Sequence, residues 1–287
     1  MVFEHEIPGG SHLYFGPSAR IKRQIESTAA AHLSAAGYEE IVTPLFSYQQ
    51  HKSFADRRPL IRLNDADNHE VSLRADSTAD VVRLITRRLG RTRTERKWFY
   101  IQPVYTFPTT EQYQVGAEVI GGDFVDVTRT ALALMEELTL SPLVQIANIA
   151  IPRLLSERYG VALEAIETMH IEAILASGHD WIDRLVRIHT PADLSDLSPY
   201  PDDIARELRR IAEAVAGLGR EDVVISPLYY ARLRYYDTLL FRMTAGNSLL
   251  ATGGTYRIEE IDAAGFALYT DACIAQTLQK ELHGQTS

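Results

Sequence analysis

The sequence predicts an α+β protein, an antiparallel sheet flanked by helices with a helical subdomain inserted between its strands. Three observations carry this expectation. Helical and β-rich runs alternate along the first half of the chain. Two β-rich runs, KWFYIQPVY (97–105) and YQVGAEVIGG (113–122), are separated only by the turn-like FPTTEQ, and so short a connector requires an antiparallel hairpin. A mainly helical block at about 151–221 is followed by strands again, which makes 1–150 and 222–287 the core and 151–221 an insertion.

The elements follow in order. Pro17 and Ser18 open a helix in which Ile21, Ile25, Ala29 and Leu33 recur every four residues, and Gly37 closes it. YEEIVTP is a short strand stopped by Pro44, and 48–69 is polar, aperiodic and read as a surface connection. EVSLR (70–74) is a strand. The next helix begins at Asp76 or Ser77, with Asp80 spaced to complete a capping box on Ser77, and carries Val81, Leu84, Ile85 and Leu89 on its apolar face. After the hairpin come a helix from Asp126 to about Leu138 and a strand at 143–150. Pro152 opens the helical block, which HTPADLSDLSPYPDD (189–203) interrupts with turn residues and which ends near Gly219. Strands are expected at 222–226, 236–244 and 248–252, and a final helix from about Phe266 to Leu282.

Composition narrows the function classes. The chain has 287 residues, 46% of them hydrophobic, enough for one large core or a core with a small inserted domain. A net charge of −9 argues against general nucleic-acid binding. The single cysteine, Cys273, rules out an internal disulfide and fits a cytoplasmic location. No apolar run approaches the roughly 18–20 residues that span a bilayer, and MVFEHEIPGG lacks a signal pattern. None of the nine histidines stands in His-x-x-x-His or His-x-Cys spacing, so no metal site is expected, and no cofactor either.

Three blocks in this order resemble the catalytic core of histidyl-tRNA synthetases, a class II aminoacyl-tRNA synthetase family. GYEEIVTPLF (37–46) is similar to motif 1, the dimerisation element of that class. LRADST (73–78) with KWFYIQPVY…QYQVGAEVIGGD (97–123) resembles the family's Leu-Arg-Pro-Glu-x-Thr element and motif 2 hairpin. LRYYDTLLF…LATGGTYR…GFALYTDAC, within 233–273, resembles its Leu-Asp-Tyr-Tyr and Gly-Gly-Arg-Tyr-Asp segments and motif 3. The resemblance implies a pocket for histidine. Asp76 and Thr78 match the residues near the α-ammonium, Gln114 and Glu118 those of the side-chain pocket, and Tyr236 and Tyr256 the tyrosines near the imidazole. Gln114 and Glu118, four apart on a strand, point to one face.

The departures fall on phosphate chemistry. Where the family carries the motif 2 arginine this chain has Thr106, and the following glutamate is Pro108 in a hairpin loop shorter by roughly half a dozen residues. Three further arginines align with Ala231, Thr255 and Ala272. Adenylate formation builds charge on phosphorus, and losing one preorganised donor costs roughly 2.7–4 kcal/mol. Such losses do not add, but neither tyrosine, threonine nor alanine replaces a bidentate guanidinium. The chain also ends about fifteen residues after Ala272, so no anticodon-binding domain and no tRNA are expected. That combination resembles the regulatory-subunit family of ATP phosphoribosyltransferase. It implies a non-catalytic protein that partners a short-form catalytic subunit in the first step of histidine biosynthesis, takes part in feedback inhibition by histidine, and pairs with itself through motif 1.

Other roles stay open at this level. Asp76 also suits a helix cap, Gln114 and Glu118 outward strand positions, and Tyr236 and Tyr256 core packing. Gly253 and Gly254 fit a turn or close packing, because they lack the strand–loop–helix context of a nucleotide fingerprint. The basic run Arg83, Arg87, Arg88, Arg91, Arg93, Arg96, Lys97 reads as a solvated face, with a partner contact or anion site as the alternatives. If Ala231 removes the carboxylate partner of histidine, Arg232 or Arg234 stands close enough to replace it. A stand-alone histidine sensor and a ligase using an aminoacyl-adenylate are the alternative functions.

Overall fold

The computed structural model describes residues 6–48, 50, 57–90, 92–230 and 236–284. Strand pairing builds the molecule around an eight-stranded sheet in the order β1-β5-β6-β11-β10-β9-β7-β8. Near one edge lies the hairpin of β5 (Lys97–Thr106) and β6 (Thr110–Ile120), antiparallel as the short connector requires. Beside β6 lie β11 (Ile261–Tyr269), β10 (Ser248–Ile258) and β9 (Tyr236–Ala245), all antiparallel. Next come β7 (Leu143–Asn148), antiparallel to β9, and β8 (Val223–Ile225), parallel to β7. At the hairpin's own edge β1 (Glu39–Glu40) joins β5 in parallel. A second, three-stranded sheet pairs β4 (Glu70–Leu73) with β2 (Phe46–Ser47) and β3 (Arg62–Asn64).

Strand alternation gives the large sheet two different faces. On β6, Val115 and Ala117 turn into the main apolar core, whereas Gln114 and Glu118 turn the other way. The core face is covered by α1 (Gly16–Ala35), α3 (Phe124–Glu137) and α9 (Thr270–Gly284). Ile21, Ile25 and Leu33 of α1 and Phe124, Leu134 and Met135 of α3 pack there with Phe241, Met243 and Leu268 of the strands. Asp123 caps α3, its carboxylate accepting from the N–H groups of Val125 at 2.8 Å and Asp126 at 3.0 Å. Between β7 and β8 run α4 (Ala150–Arg158), α5 (Leu163–Glu167), α6 (Ile171–Leu175), α7 (Asp180–Val186) and α8 (Asp202–Leu218). Ile204, Leu208, Ile211 and Val215, one face of α8, join the same core. Gly219, with φ of +67°, ends that helix in the left-handed conformation.

Four expectations are corrected. The chain does not enter its last helix at Phe266: β10 runs on to Ile258 and β11 occupies 261–269, so α9 begins only at Thr270. The alanines 263, 264 and 267 have helical propensity, but pairing with β6 and β10 on both sides overrides it. The polar stretch 48–69 contains β3, which exists by pairing with β4 rather than by any period of its own. Only Glu39 and Glu40 of YEEIVTP form a ladder. Ser77 and Asp80 form no capping box: the N–H of Ala79 is taken by Asp76 Oδ1 at 2.9 Å, Ser77 Oγ accepts from Gln102, and Asp80 is bound by Ser47, Gln50 and Arg83.

Candidate functional site

The face of the sheet away from the main core carries a cavity of about 360 Å³, bordered by Thr78 at the start of α2 (Thr78–Leu84). All six residues proposed for the histidine-like pocket line it: Asp76, Thr78, Gln114, Glu118, Tyr236 and Tyr256. They arrive from four places, the turn into α2, β6, β9 and β10. Gln114 and Glu118 meet because they alternate on one strand. Tyr236 and Tyr256 meet because their strands pair at that position, their rings edge to face with centroids 6.5 Å apart.

Glu118 is the buried centre of the site, with no solvent exposure. Three hydroxyls donate to its carboxylate: Thr78 at 2.8 Å and Tyr100 at 3.3 Å to Oε1, and Tyr256 at 2.5 Å to Oε2. The surrounding strands make room for this arrangement. A Cβ on Gly265, paired with Glu118, would lie 1.8 Å from Glu118 Oε2, and one on Gly116 would lie 2.0 Å from Tyr100 Cζ. Burial raises the Glu118 pKa to about 8, the hydroxyls of Tyr256, Thr78 and Tyr100 opposing the rise and the charge of Asp76 adding to it. Burial also pushes the phenols of Tyr100, Tyr236 and Tyr256 well above their ordinary value. The result is a buried carboxyl group, ringed by hydroxyls, on which a ring N–H can be held.

The other end of the cavity is chemically different. Thr106, which the sequence resemblance sets against the motif 2 arginine, lines it together with Thr110 and Gln112. Among the described residues that line the cavity, the charged side chains are Asp76 and Glu118, both acids. Pro108 is an exposed residue of the hairpin turn. Thr255 Oγ1 pairs with Thr238 Oγ1 at 2.8 Å, and Ala272 packs against the main core. None of these three lines the cavity. Ala231, Arg232 and Arg234 lie outside the described residues.

Two residues of the site sit inside the family-like blocks without a role assigned to them there. Tyr100 completes the hydroxyl ring around Glu118, and Tyr269, paired with Gln114 across β6 and β11, closes one wall. The signal for Tyr100 was the glycine opposite it, Gly116, which only a side chain crossing the strand pair explains. Gly253 and Gly254 serve close packing: Cβ atoms there would come within 2.5 Å of Gly265 O and 2.3 Å of Leu239 O. The basic run divides. Arg83 is buried and paired with Asp80, Arg87 is exposed and paired with Glu259, and Arg91 lies outside the described residues.

Comparison with known proteins places this geometry in a family. A histidyl-tRNA synthetase family model matches residues 14–273. An ATP phosphoribosyltransferase regulatory subunit from Wolinella succinogenes is 42% identical over 281 residues, covering 97% of this chain and 98% of the relative. Another from Helicobacter hepaticus is 40% identical, with 96% and 98% covered. Among solved structures, a histidine–tRNA ligase subunit from Alicyclobacillus acidocaldarius superposes with a TM-score of 0.78 at 24% identity, over 98% of this chain and 99% of that one. An ATP phosphoribosyltransferase regulatory subunit/histidyl-tRNA synthetase from Bacillus halodurans gives 0.76 at 19% identity, with 96% and 84% covered. The fold is therefore that of the class II synthetase core, and the chain belongs to the histidyl-tRNA synthetase-like family of ATP phosphoribosyltransferase regulatory subunits.

Proposed function

We propose that this chain acts in the cytoplasm as the non-catalytic subunit that a short-form ATP phosphoribosyltransferase catalytic subunit requires for the first step of histidine biosynthesis, and that histidine bound in its cavity contributes to feedback inhibition. One observation supports this above the others. The cavity keeps at one end a buried acid that accepts from three hydroxyls and, among the described lining residues, presents only neutral groups at the other, where adenylate chemistry would need cations. Glu118 and the tyrosines would hold the ring, and Asp76 with Thr78 the α-ammonium. A charge-assisted bond between the Asp76 carboxylate and an ammonium N–H contributes about 1.5–3 kcal/mol.

Self-association through motif 1 is part of the same proposal. Val42 is 77% exposed, and Phe46 and Tyr48 are more than half exposed, on the segment that follows β1; large apolar side chains grouped this way favour burial against another surface. The test is reconstitution. Adding the purified chain to the short catalytic subunit should raise its phosphoribosyl-transfer rate and make that rate histidine-sensitive. An unchanged rate contradicts the proposal. Histidine-dependent exchange of pyrophosphate into ATP by the chain alone would support a ligase instead.

A further inference from the structure

Gln50 is fully buried, although Phe46 and Tyr48 just before it are more than half exposed. Its side-chain amide uses every hydrogen-bonding position it has. Oε1 accepts from the backbone N–H of Ala75 at 2.9 Å and of Asp76 at 2.8 Å. Nε2 donates to the carbonyl of Asp76 at 2.9 Å and to the carboxylate of Asp80. One side chain thus pairs with both the N–H and the C=O of Asp76, as a neighbouring strand would. Asp80 is fixed in turn by Ser47 Oγ at 3.2 Å and by Arg83.

What Gln50 grips is the corner of the cavity that carries its second acid. The Asp76 carboxylate lines the cavity and also caps α2 through the N–H of Ala79. Two residues on, Thr78 donates to Glu118. Without the amide of Gln50, two N–H groups and a carbonyl of this turn lose their partner, and Asp80 loses one of its three. The backbone that aims Asp76 is then held from one side only.

We propose that Gln50 is a positioning residue for amine recognition: by clasping the backbone of Asp76 it sets the carboxylate that receives the α-ammonium of an imidazole amino acid. This rests on the histidine-binding role above and sharpens it, because it divides the ligand into a ring read by Glu118 and an amine read through Gln50. The two parts can be tested separately with histidine and with 3-(imidazol-4-yl)propanoate, the same molecule without its amine.

Calorimetry with both ligands on the wild type, Gln50→Ala and Gln50→Glu decides it. Gln50→Glu keeps the shape but turns an oxygen towards Asp80 and the Asp76 carbonyl. The expected result is about a tenfold to hundredfold loss of histidine affinity in both variants, the range of a lost charge-assisted bond, with the des-amino ligand changed less than twofold. Equal losses for the two ligands, or an unchanged histidine affinity, overturn the proposal. If the wild type binds neither ligand, the histidine-binding role falls by itself. Amide exchange then decides the clasp: faster exchange at Ala75 and Asp76 in Gln50→Ala, with the rest of the sheet unchanged, upholds it, and unaltered exchange there rejects it.

Discussion

The two ends of the cavity share a sheet face but are built in opposite ways. At one end a carboxylate with no exposure is ringed by three hydroxyls, with Gly265 leaving room for it and Gly116 for Tyr100. At the other end Thr106, Thr110 and Gln112 are small or neutral and hold no fixed charge. A buried ionisable group is a burden on stability unless its partners are all in place. The Glu118 end bears that burden fully, while among the described residues the Thr106 end carries none of it. The contrast fits a protein that holds an amino acid without activating it.

The most disruptive way to break the contrast is to fill the space that Glu118 needs. Gly265→Ala puts a methyl 1.8 Å from Glu118 Oε2 and 2.5 Å from the Ala117 carbonyl. It should lower the unfolding free energy by about 3 kcal/mol, at the upper end of overpacking costs. Urea denaturation measures this, and a loss below about 1 kcal/mol would mean that the strands have more slack than the structure allows.

A smaller effect is expected from Glu118→Gln, which should weaken histidine binding by about tenfold through loss of an acceptor for the ring N–H. The same variant tests the electrostatics. Because burial raises the folded pKa of Glu118 to about 8, its contribution to stability is fully present below its ordinary unfolded value. That contribution is lost as the pH rises towards and through 8. The stability of the wild type relative to Glu118→Gln should therefore fall between about pH 5 and 8 and level off above. A difference that stays flat across that window would show that the carboxylate is ionised throughout.

The smallest expected change comes from the neutral end. Thr106→Arg puts one cation into the cavity, yet histidine-dependent pyrophosphate exchange should stay at background, because the other described lining residues add no second cation. Measurable exchange from this single substitution would mean that the neutral end lies much nearer to catalysis than its lining residues indicate.

The site was legible where local pattern and spatial outcome coincide. Gln114 and Glu118 fall on one face of a strand whatever the rest of the chain does, and the hairpin that carries them follows from its short connector. Legibility fails where a partner far along the chain decides. The alanines of β11 have helical propensity, and only pairing with β6 and β10 makes them a strand. Asp80 has the spacing of a capping residue, but Ser47 and Gln50, about thirty residues before it, take its carboxylate first. Gln50 itself sits in an aperiodic polar stretch, and nothing in the sequence around it marks it as the most buried of the described side chains there. Tyr100 reads as one more aromatic in KWFYIQPVY until Gly116 is seen beneath it.

The most direct test of an amino-acid site without activation chemistry is calorimetric titration of histidine into the wild type, with and without magnesium ATP. Histidine should bind with the same affinity in both, and ATP alone should give no heat. Histidine that binds tighter in the presence of ATP, or that gives no heat under either condition, would contradict it.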